Sequence, residues 1–276
     1  MKRYLTSLFC SIIAVSQLGA CAPAPPTTPS PKVVPTAASG PSAAPVAHIP
    51  VPVAEPAEAL LANLTGIWRG GSGGRYYMRQ SGDMLIWFGE SSAVDPAWAQ
   101  AAVGQKQPDG SIQMVWIDVP KGASTGLGSL KLALKPGAVL ELQARTGPLG
   151  ETGWTREQAS TAPELSESLS PDMALAPSSF NLTGVWKGDD GGSYYLTQQA
   201  SRLIWYGEDD AQAPTWSHIA YGEVTGSEIA IKWADLPKGA ARGSGLLSLK
   251  IEDPDHLVSL SSTGGFGGGK WSRIPN

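Results

Sequence analysis

All ten tryptophans of the 276-residue chain fall into five pairs: Trp68 with Trp186, Trp87 with Trp205, Trp98 with Trp216, Trp116 with Trp233, and Trp154 with Trp271. The first three pairs are 118 residues apart and the last two 117, so one domain is written twice. Between the tryptophans the match continues. Gly73-Gly74 answers Gly191-Gly192, Tyr76-Tyr77 answers Tyr194-Tyr195, Leu85-Ile-Trp-Phe-Gly-Glu90 answers Leu203-Ile-Trp-Tyr-Gly-Glu208, and Asp118-Val-Pro-Lys-Gly122 answers Asp235-Leu-Pro-Lys-Gly239. Fold and function must therefore be sought in units of roughly 95 to 100 residues, an ordinary domain size.

At the N-terminus, Lys2 and Arg3 precede the apolar run Leu8 to Val15, followed by Leu18-Gly19-Ala20-Cys21. Residues 1–20 read as a secretory signal, too short for a membrane span. The segment resembles a bacterial lipobox, which implies cleavage before Cys21, lipidation of Cys21 and attachment of the mature chain to a membrane. An ordinary signal peptide with an incidental cysteine is the alternative. Ala22 stands where an aspartate would imply inner-membrane retention, so the expected address is the bacterial cell envelope, at the outer membrane. Cys10 leaves with the signal, and the mature chain keeps no thiol for a disulfide, a zinc site or a nucleophile. The formal net charge of −4 lacks the basic face that nucleic acid requires. Residues 21–60 are dominated by Pro and Ala and are expected to be a disordered, proline-stiffened tether. The expected order is then repeat 1 over 61–158, a linker over 159–179 and repeat 2 over 180–276.

Within repeat 1, short β-rich segments near 64–70, 74–80, 83–89, 97–105, 111–118, 127–135, 138–145 and 152–157 are separated by turn residues, the pattern of an all-β barrel or sandwich. Repeat 2 has their counterparts. Links after the second, fourth and sixth segments are tight: Ser81-Gly-Asp83, Pro108-Asp-Gly110 and Pro136-Gly137. Links after the first, third, fifth and seventh are longer or glycine-rich. In an up-and-down arrangement the two sets lie at opposite ends, one pinched and one open. The expected fold is thus all-β, with two tandem antiparallel up-and-down eight-stranded β-barrels.

That layout resembles the calycin barrels, the lipocalins and avidins. Gly66-Ile-Trp68 and Gly184-Val-Trp186 look like the Gly-x-Trp opening of their first strand, and Trp154-Thr-Arg156 and Trp271-Ser-Arg273 put an arginine on the last. The resemblance implies that Arg156 lies across Trp68, and Arg273 across Trp186, at the closed end. The repeat blocks also resemble those of uncharacterised bacterial repeat proteins, which implies no activity.

The open end gathers the polar residues shared by both copies. The candidate ligand-binding set is Tyr76, Tyr77, Trp87, Glu90, Trp98, Asp118 and Lys121 in repeat 1, with Tyr194, Tyr195, Trp205, Glu208, Trp216, Asp235 and Lys238 in repeat 2. Aromatic walls with a few polar groups at the entrance are what a small-molecule site requires. The same residues have structural readings: tryptophans filling a small barrel, Asp118 capping a turn, Glu90 pairing with Lys121. Asp189, Asp190, Glu208, Asp209, Asp210 and Asp235 form an acidic group in repeat 2 that could ligate calcium or simply aid solubility. Glu90 with Asp118 is the one carboxylate pair that suggests a glycosidase. No nucleophile elbow, zinc motif or phosphate loop occurs, and no cofactor is expected. The expectation is a non-catalytic binding protein whose barrels take a small apolar or aromatic ligand at their open ends. Binding of an envelope protein through the barrel rims is the alternative.

Overall fold

The computed structural model describes residues 63–165 and 178–275. The signal segment, Cys21, the tether and residues 166–177 of the linker lie outside the described residues. Repeat 1 comprises β1 (Gly66–Gly70), β2 (Arg75–Ser81), β3 (Met84–Glu90), β4 (Ala99–Lys106), β5 (Ser111–Asp118), β6 (Leu127–Lys135), β7 (Val139–Arg145) and β8 (Gly153–Ala159). Repeat 2 comprises β9 (Gly184–Gly188), β10 (Ser193–Gln199), β11 (Arg202–Glu208), β12 (Ser217–Thr225), β13 (Glu228–Asp235), β14 (Ser244–Asp253), β15 (His256–Ser262) and β16 (Lys270–Arg273). Each set closes into an antiparallel eight-stranded barrel whose neighbours follow sequence order, an architecture consistent with a tandem calycin-like protein. Closure removes the exposed sheet edges that an open sheet of such strands would carry.

Strand alternation sorts the side chains. Trp68, Tyr76, Met78, Leu85, Trp87, Met114, Trp116, Leu130, Leu132, Leu140 and Trp154 fill the first barrel, and their counterparts fill the second. Two glycines make room for the aromatics. A Cβ at Gly89 would collide with the Tyr76 ring, and one at Gly74 would collide with Trp98. At the closed ends the Trp68 indole donates to the Leu64 carbonyl at 2.9 Å, and the Arg156 guanidinium covers that ring at 4.9 Å. Arg156 Nη2 also reaches the Asn63 carbonyl at 2.5 Å. Repeat 2 reproduces the arrangement, with Arg273 4.5 Å from Trp186 and bonded to the Thr183 and Asn181 carbonyls.

The two barrels pack against each other. Every residue of β3 from Met84 to Glu90 is buried, because its inward side chains enter the barrel core and its outward ones face the other barrel. A second core forms there from Tyr77, Ile86, Phe88, Ala101 and Val103 of repeat 1 and Ile204, Tyr206, Ile219, Tyr221 and Leu236 of repeat 2. Phe88 and Tyr206 stack at its centre, 3.5 Å between centroids and 2° from parallel.

Beside that stack lies a closed ring of charge. Lys121 Nζ is 2.6 Å from Glu90 and 2.7 Å from Glu208, while Lys238 Nζ is 2.8 Å from Glu90 and 2.7 Å from Glu208. All four side chains are at most 4% exposed. Two ammonium groups and two carboxylates cancel, and each charge has two opposite neighbours, so the desolvation cost is offset only while the set is complete. Replacing Lys121 by Met leaves two carboxylates facing one ammonium and should lower the unfolding free energy by about 3–5 kcal/mol. Urea denaturation checks this; a loss below about 0.5 kcal/mol, the level of an ordinary surface change, would contradict the role given to the ring.

Candidate functional site

The expected site residues divide between the barrel mouths and the surface between the barrels. Tyr76, Trp87, Trp98 and Asp118 point into the first barrel, and Tyr194, Trp205, Trp216 and Asp235 into the second. Tyr77, Glu90, Lys121, Tyr195, Glu208 and Lys238 stand on the outer walls, in or against the shared interface. A period of two explains the split: Tyr76 and Tyr77 are adjacent on one strand and so face opposite sides of the wall. Glu90 and Lys121 do pair with each other, but on the outer wall and together with Glu208 and Lys238 of the second repeat rather than across a rim. Glu90 and Asp118 are separated by the barrel wall.

At the mouth of repeat 1 a cleft of about 490 Å³ opens among Ser72, Tyr76, Trp98, Gln100, Trp116, Asp118, Leu149 and Glu151. Its floor is the Tyr76 ring, which meets Trp87 edge-on at 5.7 Å, Trp154 edge-on at 5.6 Å and Trp98 at 5.7 Å with a 36° tilt. Gln100 Nε2 donates to the Tyr76 hydroxyl at 3.0 Å, and the carbonyl end of the Gln100 side chain has no protein partner. Glu151 arches over from the link between β7 and β8, accepting from the Ser72 backbone N–H at 2.8 Å and from the Ser72 hydroxyl. Burial, reinforced by the Glu151 charge, pushes the Tyr76 hydroxyl far above its ordinary pKa and keeps it a neutral donor. Asp118 is tied to the Gly126 N–H at 2.6 Å, and burial raises its pKa despite that bond. Gln100, Leu149 and Glu151 escaped the sequence reading. Gln100 has no look-alike in repeat 2, where the matching residue is His218, and Glu151 sits in a link with no motif.

The mouth of repeat 2 is built from the same frame with different fillings. His218 replaces Gln100 and stacks on Trp216 at 5.1 Å and 11°. Phe266, in the position of Leu149, enters the cup and meets His218 and Trp233 edge-on, both at 5.0 Å. Burial alone depresses the His218 imidazole to about 3, so it is neutral at physiological pH. The carboxylate here comes from the other side of the mouth: Asp190 accepts from the Tyr194 hydroxyl at 2.5 Å and from the Gly192 N–H at 3.0 Å. A Cβ at Gly188 would collide with Asp190, and a Cβ at the matching Gly70 would collide with Glu151. The two repeats therefore place a carboxylate over the same tyrosine from two different loops.

The remaining acidic residues of repeat 2 serve separate turns. Asp189 accepts from the Gly269 N–H at 2.8 Å, Asp209 from the Thr215 N–H at 2.9 Å, and Asp210 from the Gln212 and Ala213 N–H groups, each at 2.8 Å. Asp235 accepts from the Gly243 N–H at 2.6 Å, and Glu208 belongs to the interface ring. Among the described residues no group of three or more His, Cys, Asp or Glu side chains is placed to hold a metal ion. No family model and no curated protein matches the chain.

Asp235 gives a pH dependence with a definite sign. Burial raises its pKa from 3.8 to about 6, against the opposing pull of the Gly243 N–H and of Arg79 and Arg242. The folded state thus binds a proton that the unfolded state releases, and this contribution to stability is full below about pH 4 and lost as pH rises through 6. Asp235→Asn keeps an acceptor for Gly243 but carries no charge. It should match the wild type at pH 4 and exceed it by ~1–3 kcal/mol at pH 7.5 in urea denaturation. An advantage confined to acid pH would reverse the assignment.

Proposed function

We propose that the chain is a non-catalytic binding protein of the bacterial envelope, carried on a lipid anchor at Cys21, whose ligand site is the mouth of repeat 1. The observation that supports this is the cleft of about 490 Å³. That volume falls among small-molecule sites, roughly 300–1,000 Å³. Its floor is the Tyr76 ring and its walls include the Trp98 and Trp116 rings, with Gln100, Asp118 and Glu151 spaced around them. A flat apolar or aromatic compound fits such walls. The second mouth, occupied by the chain's own His218 and Phe266, is read as the stabilising member of the pair.

The comparison of the two mouths supplies the test. Gln100→His with Leu149→Phe gives repeat 1 the fillings of repeat 2, which the same frame already accommodates. Native mass spectrometry of the full chain purified from its own envelope should show a retained small molecule in the wild type and none in the double variant. Where a compound quenches tryptophan fluorescence, the variant should bind it at least ~10-fold more weakly, about 1.4 kcal/mol. A wild-type protein with no added mass and no response to a panel of small aromatic compounds would end this reading.

A further inference from the structure

Two grooves flank the contact between the barrels, and the duplication makes them counterparts. In one copy Arg79 Nη1 donates to the Asp235 carbonyl at 3.1 Å; in the other Thr197, which matches Arg79, donates to the Asp118 carbonyl at 2.9 Å. The first groove is occupied by the chain itself. After β8 the backbone runs without regular structure through Ser160–Leu165. Arg79 Nη2 donates to the Pro163 carbonyl at 2.9 Å, Ser81 Oγ donates to Glu164 at 2.6 Å, and the Leu165 N–H returns to Ser81 Oγ at 2.7 Å. The Leu165 side chain packs against the core between the barrels.

The second groove is continuous with that same core and, among the described residues, nothing fills it. It holds about 270 Å³ between Val103, Val115, Ile117 and Leu127 of repeat 1 and Ile204 and Tyr221 of repeat 2. Its composition differs from that of the filled groove in a directed way. Val115 and Leu127 are 41% and 47% exposed, whereas repeat 2 carries Lys232 and Ser244 at the matching positions. Tyr221 matches Val103, and its hydroxyl is buried with no hydrogen-bond partner. Apolar side chains left in water at the edge of a buried core mark an interaction surface.

We propose that this open groove docks an extended, proline-containing segment of a partner polypeptide, laid down as Ser160–Leu165 is laid in the matching groove. The partner places a leucine-type side chain against Val115, Leu127 and Ile204. A proline-stiffened segment suits the task because little conformational freedom is lost on docking. The filled groove supplies the chemistry of the occupant, and the continuous core supplies its anchor.

The test uses the full chain and a fluorescein-labelled synthetic peptide with the sequence of residues 159–166, read by fluorescence anisotropy. Saturable binding is expected, weakened at least ~10-fold by Val115→Lys with Leu127→Ser. Those substitutions install residues that repeat 2 already carries on the same frame, so folding is retained and can be checked by urea denaturation. A peptide substituted Leu165→Asp should not bind. No saturable binding up to the solubility limit would overturn the proposal. Binding that ignores the Val115 and Leu127 changes would overturn it too, because the peptide would then be displacing the chain's own segment from the first groove.

Discussion

The four-charge ring between the barrels constrains everything around it. Glu90 and Glu208 stand at the ends of β3 and β11, and Lys121 and Lys238 on the turns after β5 and β13, so each barrel contributes one acid and one base. Neither barrel could bury its own pair in this way alone. Removing the partner would leave Phe88, Ile86 and Glu90 in water on one side and Tyr206 and Glu208 on the other. The apolar core supplies the affinity and the ring fixes the register, since a slip by one residue would set an unpaired charge against the Phe88–Tyr206 stack. The tandem is consequently one folded body in which two mouths and two grooves have defined positions.

Much of this was legible in the sequence, for identifiable reasons. The tryptophan pairs fixed the duplication. Turn pairs such as Pro108-Asp-Gly110 located the hairpins because their backbone demands are local. The Gly-x-Trp and Trp-x-Arg elements marked the end where Arg156 lies over Trp68. The period of two along β6 turns Leu130 and Leu132 inward, while Leu134, at the strand's end, is partly in water.

What escaped was the facing of individual rim residues and the contact between the copies. Glu90, Lys121 and Tyr77 look like rim residues when the strands are placed only by end, yet the pleat sends them outward while Tyr76 and Asp118 go inward. One signal could have revealed this. Leu85-Ile-Trp-Phe-Gly lacks the alternation of a strand with one wet face, in both copies, and an unbroken apolar run denotes a strand covered on both sides. The shared Glu90 and Glu208 of the ring end those covered strands. Glu151 and Gln100 were invisible for the opposite reason, since their roles exist only where loops from non-adjacent strands meet.

The differences between the repeats then acquire a direction. Where they agree, in the tryptophans, the Trp–Arg closure and the charge ring, the residues hold the body together. Where they differ, repeat 1 has the smaller or more apolar member facing a void: Gln100 and Leu149 against His218 and Phe266 at the mouth, Val115 and Leu127 against Lys232 and Ser244 at the groove. The exchange of Glu151 for Asp190 shows that such divergence is compensated when a function of the frame is at stake, because a carboxylate is restored over the tyrosine from another loop. No matching compensation fills the mouth or the groove of repeat 1 among the described residues. Voids that the chain fills on one side, with His218 and Phe266 at the mouth and Ser160–Leu165 at the groove, and leaves open at the counterpart are the places where a foreign molecule would gain most by entering.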